Sequence, residues 1–420
     1  MRIIDTDKWS EIIDTLFRHK LRTSLTALGV GWGIFMLVLL LGAGKGLQNG
    51  VEYNFRDDAV NSLWLYNGQT SIAYKGMPVG RQINFENQDY DALEKIEGIE
   101  YKTGRYYLRG EVITRYKNKS SSYNTRCVHP EHKYLENTIM DNGRFINQTD
   151  LDKKRKVVVI GKLVAQEIFE EFENNPTFPI GKWISIGDIP FQVVGVFSDS
   201  GNEREMQYMY LPITTAQLAF NGKNRVHQLM MTVGDASVEE ANLIAKNIQK
   251  DFAARHKFSP EDDRAVRVRN NVEEFEKFQM LFLFIRGFVW VVSLMTILAG
   301  IIGVSNIMLI IVKERTKEIG IRKALGATPY SIVSLIVSEA IVITSVAGFF
   351  GLSLGVATIM LMKILVGDGG GGDSFFRNPE VDLYVVLVAI GLLVVSGALA
   401  GFFPAYRAAK IAPIVALRAD

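Results

Sequence analysis

Cysteine is almost missing from these 420 residues: Cys127 stands alone, so no disulfide can form within the chain and its domains must hold by packed cores. Net charge is nearly missing as well. Lys and Arg number 47 against 45 Asp and Glu, a formal +2, which excludes the strongly basic balance of a nucleic-acid binder. A phosphate-binding P-loop is absent too. The chain has four Gly-Lys pairs, at Gly44, Gly161, Gly181 and Gly222, and they are followed by Gly46, Leu163, Trp183 and Asn224, where Mg²⁺ chemistry needs Ser or Thr. These residues therefore do not hydrolyse ATP. Histidine is scarce, with five residues, and no Ser/His/Asp set or zincin pattern occurs, which leaves hydrolytic chemistry without support.

One local cluster, Cys127-Val128-His129-Pro130-Glu131-His132, packs metal-ligand side chains into six residues. Pro130 stiffens the run and a distant second half of a site is not evident, so no metal site is assigned. His19, His227 and His256 are isolated and read as surface or core residues.

What the chain has in quantity is apolar length. Hydrophobic residues make up 48% and the mean hydropathy is +0.11, too apolar for a wholly soluble protein and too charged for one entirely in lipid. Four segments can span a bilayer: 25–47, 280–312, 331–366 and 383–403. Arg18, Lys20 and Arg22 precede the first span. Lys313, Arg315, Lys317, Arg322 and Lys323 follow the second, and Arg407, Lys410 and Arg418 follow the fourth, whereas the loop at 367–382 has only Arg377. The positive-inside rule then places both termini and the segment 313–330 in the cytoplasm, with 48–279 and the Gly-rich loop outside. A cleaved signal peptide is the competing reading of the N-terminus, since Gly42-Ala43-Gly44 follows an apolar run. The segment 1–24 argues against it, because it carries Asp5, Asp7, Glu11 and Asp14 and has the pattern of an amphipathic helix.

The second span is about 33 residues, roughly 50 Å of helix, well beyond the ~30 Å hydrocarbon core, and Val272 to Phe278 extends its pattern as a stalk. Span one carries Gly29, Gly31 and Gly33, span three Gly351 and Gly355, and span four Gly397 and Gly401, faces that let helix backbones approach closely. Two polar residues lie inside spans, Asn306 and Glu339. An unpaired carboxylate at the depth of Glu339 costs several kcal/mol, so both residues are expected to act as packing glue between helices.

Between spans two and three, seven of the fifteen residues Lys313 to Ala327 are charged. Glu318 and Arg322 can pair across one turn, and Gly326 followed by Pro329 supplies a helix stop, while Gly320 could split the helix. Charge alone would make this a solvated cytoplasmic connector. The wording E-R-T-K-E-I-G-I-R-K-A-L-G-A, however, resembles the loop between membrane helices two and three of MacB-like and FtsX-like ABC transporter permeases. Lys20 to Gly29 resembles the family's entry to the first span, and Pro404 to Arg418 its C-terminal P-A-x-x-A-x-x-x-x-P-x-x-A-L-R phrase. Val337-Ser338-Glu339-Ala340 is similar to its F-x-x-E-A phrase. Looser matches, Gly143-Arg144-Phe145, Val157 to Gly161, Pro179 to Lys182 and Val193 to Val196, run through the outer domain in the family's order. The chain departs from the family at Cys127 and His132, where a G-V-x-P-E-Y-like turn is usual.

The resemblance implies an α-helical membrane protein with four transmembrane helices plus a large α/β extracytoplasmic domain, a porter-like subdomain with a second one inserted at about 140–222. It implies a coupling helix whose ATPase-contacting residues are Glu314, Arg315, Thr316, Glu318, Ile319, Gly320, Arg322, Lys323 and Gly326. It further implies a separate ABC ATPase subunit holding ATP and Mg²⁺, a second permease copy or paralogue, and a bacterial inner-membrane location with the large domain in the periplasm. Partners would include a periplasmic adaptor and an outer-membrane channel, and the substrate a peptide or small molecule. Lipoprotein release and FtsX-like control of a cell-wall hydrolase are the alternatives.

Overall fold

A computed structural model describes residues 20–56, 59–108, 110, 112–199, 204–366 and 376–412. The amphipathic helix expected at 1–24 lies outside the described residues as far as 19, and so do the Gly-rich run and the tail beyond 412. The described residues separate into two compact units: 51–280 form one, and 20–50 with 281–366 and 376–412 form the other.

The helical unit consists of four helices, Lys20–Arg56, Asn271–Glu314, Pro329–Val366 and Leu383–Ala409, called here the first to fourth span helices. Each is long and apolar enough to cross a membrane. They overrun the apolar windows because backbone hydrogen bonding continues past the last apolar residue until a cap stops it. The second is unbroken over 44 residues, about 66 Å, and Asn270 caps its start by accepting from the N–H groups of Val272 and Glu273. Val30, Ile34, Ile297, Met308, Ala340 and Leu393 are among the buried residues at the centre of this unit. The glycines pack within the chain: Gly31 faces Gly351, Gly29 faces Gly300, and Gly397 lies on Ile341 and Thr344. Without Cβ atoms these backbones come together closely enough for dispersion contacts to replace a hydrophobic driving force that lipid does not supply.

The α/β unit is built on a mixed sheet of twelve strands. With a separate two-stranded pair included, the strands among the described residues are, in chain order, β1 (Ser62–Asn67), β2 (Phe85–Glu86), β3 (Lys102–Tyr107), β4 (Ile113–Tyr116), β5 (Lys119–Ser122), β6 (Asn124–Val128), β7 (Ile139–Gly143), β8 (Val157–Gly161), β9 (Trp183–Ile186), β10 (Ile189–Ser198), β11 (Tyr208–Pro212), β12 (Arg225–Val226), β13 (Gln228–Thr232) and β14 (Val266–Asn270). The sheet order is β14-β1-β13-β3-β6-β11-β8-β10-β9-β4-β5, β7 pairs with β10, and β2 and β12 form a separate pair. β8 pairs parallel with β10, and β6 with β11. β8 is Val-rich and buried on both faces, the continuous apolar run that a central strand requires. The helix Val238–His256 covers this unit with Ala241, Ile244, Ile248 and Phe252, and starts at Ser237, whose side chain accepts from Glu240 while Glu240 reaches back to the Ser237 N–H.

Residues 113–128 share a sheet with strands of 140–222, because β4 pairs with β9 and β6 with β11. Alternation marks a strand but does not name a partner some 70 residues away. The helix Lys162–Ile168 is short. Phe169 leaves helical geometry and is buried against Tyr116, tertiary packing outweighing local pattern.

Candidate functional site

The charged segment folds as a short helix, Thr316–Ala324, set off from the second span helix by Arg315, whose φ of −92° and ψ of 14° lie outside helical geometry. The Thr316 hydroxyl donates to the carbonyls of Val312 and Lys313 at this break, at 3.1 and 2.7 Å. Gly326 ends the helix at φ +97°, with its own N–H bonded to Lys323 O and that of Ala327 to Arg322 O, a glycine cap that a side chain would strain. Thr328 Oγ1 then accepts from Ser331 and Pro329 opens the third span helix. Gly320 does not split the helix: it is buried inside it, next to Ile319.

Four side chains of alternating sign link this helix to the third span. Arg315 Nε and Nη2 donate to both carboxylate oxygens of Glu318 at 3.0 and 3.3 Å, and Arg322 Nη2 donates to Glu318 Oε1 at 3.0 Å. On its other side Arg315 Nη1 reaches Glu339 Oε2 at 3.5 Å. Glu339 is 2% exposed and Arg315 is half-buried, so the attraction acts in a medium less polar than water. Lys323 turns instead to the fourth span helix. Its ammonium donates to the carbonyls of Ala409 and Ile411 at 2.6 and 2.8 Å, satisfying groups that a helix C-terminus leaves open. Nothing in the sequence announces this clamp, because its acceptors are backbone atoms 86 and 88 positions away.

The MacB-like periplasmic core domain family matches residues 23–246, more than half of the chain, and the FtsX-like permease C-terminal family matches 290–413. The chain belongs to the MacB-like, FtsX-like permease family. Two curated relatives are the macrolide export ATP-binding/permease proteins MacB of Wolinella succinogenes and Bdellovibrio bacteriovorus. They are 29% and 28% identical to it over 95% and 96% of the chain and 58% and 60% of their own. This MacB-like permease thus spans about three-fifths of the length of the curated relatives it matches. The crystal structure of the periplasmic region of MacB from Actinobacillus actinomycetemcomitans is similar over 54% of the chain and 96% of its own length, at 20% identity and a TM-score of 0.43. The family match and the four apolar helices describe a membrane protein with a domain of periplasmic type.

In this permease the expected site residues divide into two groups. Arg315, Thr316, Glu318, Ile319, Gly320, Arg322 and Lys323 all make contacts inside the helical unit, while Glu314 and Gly326 are exposed at the two ends of the short helix. The residues pointing outward are Lys317, Ile321 and Leu325, four apart on one face, with Tyr330 beyond them. Leu325 is 83% and Tyr330 82% exposed. Ile321, Leu325 and Tyr330 carry no charge and so stand outside the charged pattern of this segment. Asn306 is a correction: it lies with Ile302 and Ile310 on the exposed face of the second span helix, opposite the buried Val304 and Met308, and no interhelical bond from it occurs among the described residues.

Cys127, His129 and His132 are buried in the α/β unit. His129 Nδ1 accepts from the Gly104 N–H at 3.0 Å and its ring stacks on Tyr90, while His132 meets Tyr210 edge-on. Burial pushes the Cys127 thiol up, holds His129 down at about 3 and keeps His132 well below its usual value. Beside them runs an ionic network the sequence does not signal. Arg105 of β3 and Arg126 of β6 share Glu136, and Arg126 also binds Glu205 at 2.8 and 3.0 Å. It sits beside the β3–β6 pairing, which is only two positions long. No group of three or more potential ligands is placed to hold a metal among the described residues.

Proposed function

We propose that this chain is the permease of an ABC transporter that passes ATP-driven movement across the bacterial inner membrane to a periplasmic domain. The single observation that supports this most strongly is the short helix Thr316–Ala324. It is fixed to the third span through Arg315 and Glu339 and to the fourth through Lys323, and it offers Ile321 and Leu325 to a partner. A push on that face would reach both spans as a displacement rather than be absorbed by a loose loop. The second span helix, continuous over 44 residues, gives the displacement a stiff path. The working unit is two permeases with two ATPases, expected as separate subunits, which hold the ATP and Mg²⁺. Export of a peptide or small molecule, with a periplasmic adaptor and an outer-membrane channel, follows from the likeness to the macrolide export proteins.

Co-purification with the ATPase tests the reading. Burying Leu325 in an interface is worth about 1.5–3 kcal/mol, so Ile321→Asp with Leu325→Asp should lower association by tenfold or more. Arg315→Ala should leave the ATPase bound but uncouple its hydrolysis from transport. Undiminished association of the double aspartate variant would remove the coupling-face assignment.

A further inference from the structure

At the end of the span helices away from the short charged helix, the helical unit encloses a cavity of about 110 Å³ between the first, second and fourth spans. Its wall is apolar, with Leu41, Phe282, Val289 and Trp290. Its rim is charged in both signs, with Lys45 and Arg286 on one hand and Glu380 and Asp382 on the other. Arg286 Nη2 donates to Gln48 Oε1 at 3.1 Å and Lys363 sits 3.1 Å from Glu380, so the rim is held in place. The size approaches the ~150 Å³ of cavities that admit a benzene-sized group.

The lining narrows the occupant. A simple anion would meet two carboxylates and a simple cation two basic groups, and neither would use the apolar wall. A ligand with phosphate and ammonium a few atoms apart, carried on acyl chains, satisfies both. The cavity opens where such molecules are abundant, at the ends of helices that cross lipid. We infer that this cavity binds the headgroup of a zwitterionic phospholipid from the leaflet on that side, with its phosphate towards Lys45 and Arg286 and its ammonium towards Glu380, Asp382 and the face of Trp290. Such a lipid would brace the first, second and fourth spans at the end opposite the coupling helix. The inference does not rest on the coupling reading.

The test is lipid retention. The full chain is reconstituted in bilayers of equal phosphatidylethanolamine and phosphatidylglycerol, released into mild detergent, and weighed by native mass spectrometry. The unaltered chain should keep phosphatidylethanolamine in preference. Lys45→Gln with Arg286→Gln should lower that retention roughly tenfold, while Glu380→Gln with Asp382→Asn should turn the preference to phosphatidylglycerol. Because the two double variants are expected to move in different directions, general misfolding cannot imitate the result. Equal retention of both lipids by all three proteins, meaning unspecific belt lipid only, would overturn the proposal.

Discussion

Gly351→Ala asks whether the glycine faces of the spans pack within one chain. A methyl group built on Gly351 would overlap the carbonyl oxygen of Gly31, with the carbonyl carbon at 2.8 Å and Cα at 3.1 Å, where ordinary contact begins at 3.4 Å. All three atoms are backbone, so no rotamer change relieves the clash, and the first and third span helices must move apart. Overpacking of this kind costs about 1–3 kcal/mol, while alanine's better helix propensity returns about 1 kcal/mol. The net effect should be a loss of up to about 2 kcal/mol against the unaltered chain, and of about 1–3 kcal/mol against a glycine-to-alanine change that meets no clash. Gly391→Ala in the fourth span helix is the matched control, since a methyl there meets nothing within 4 Å and only the propensity gain remains. Unfolding of the detergent-solubilised chain should place Gly351→Ala below, and Gly391→Ala at or above, the unaltered protein. A Gly351→Ala variant as stable as the Gly391→Ala variant would refute the reasoning. So would an unchanged stability accompanied by loss of a dimer, because the glycine would then face another copy.

Three further outcomes follow from the geometry. Removing the Lys323 clamp with Lys323→Met should speed amide exchange at Arg407 to Ile411 by about ten- to a hundredfold, given ~1.5–3 kcal/mol for hydrogen bonds to a charged group; unchanged exchange would show that the clamp holds nothing. Glu136→Leu leaves Arg105 charged and buried, and should cost about 3–5 kcal/mol in denaturant unfolding. Adding Arg105→Met should recover part of that loss, and a strictly additive double variant would contradict the coupling. His129, held down at about 3 against an ordinary 6.5, binds no proton in the folded domain across that window, whereas the unfolded imidazole does. Acid therefore favours unfolding: stability is full above about 6.5 and is lost as pH falls towards 3, by ~1.4 kcal/mol per pH unit for this group. His129→Gln should lower the slope of unfolding free energy against pH by one proton, and an identical slope would show that this ring titrates normally.

The spans were legible because membrane helices are set by apolar length, a property of consecutive residues that needs no knowledge of neighbours. The glycine cap at Gly326 was legible for the same reason, being closed within a few residues. Partnership across distance was not legible. Arg315 was singled out for its charge, yet its contact with Glu339 depends on how the third span returns beside the short helix. Leu325 carries no sequence signal, since an isolated leucine in a helix ordinarily reads as core, and only the packed structure leaves it 83% exposed. The run from Cys127 to His132 looked like ligands by composition. Folding turned Cys127, Val128, His129 and His132 into the core of the α/β unit, where burial keeps the thiol protonated and the two rings are packed against Tyr90 and Tyr210.

By itself, then, the sequence determined four apolar helices, an α/β domain between the first two and a charged helix between the second and third, because these follow from periodicity, local capping and the cost of placing charge in lipid. Tertiary structure alone decided which face of that helix is turned outward, which carbonyls Lys323 holds, and where β4 and β6 find their partners. Those outcomes depend on surfaces brought together from distant parts of the chain, and no local pattern encodes which surfaces meet.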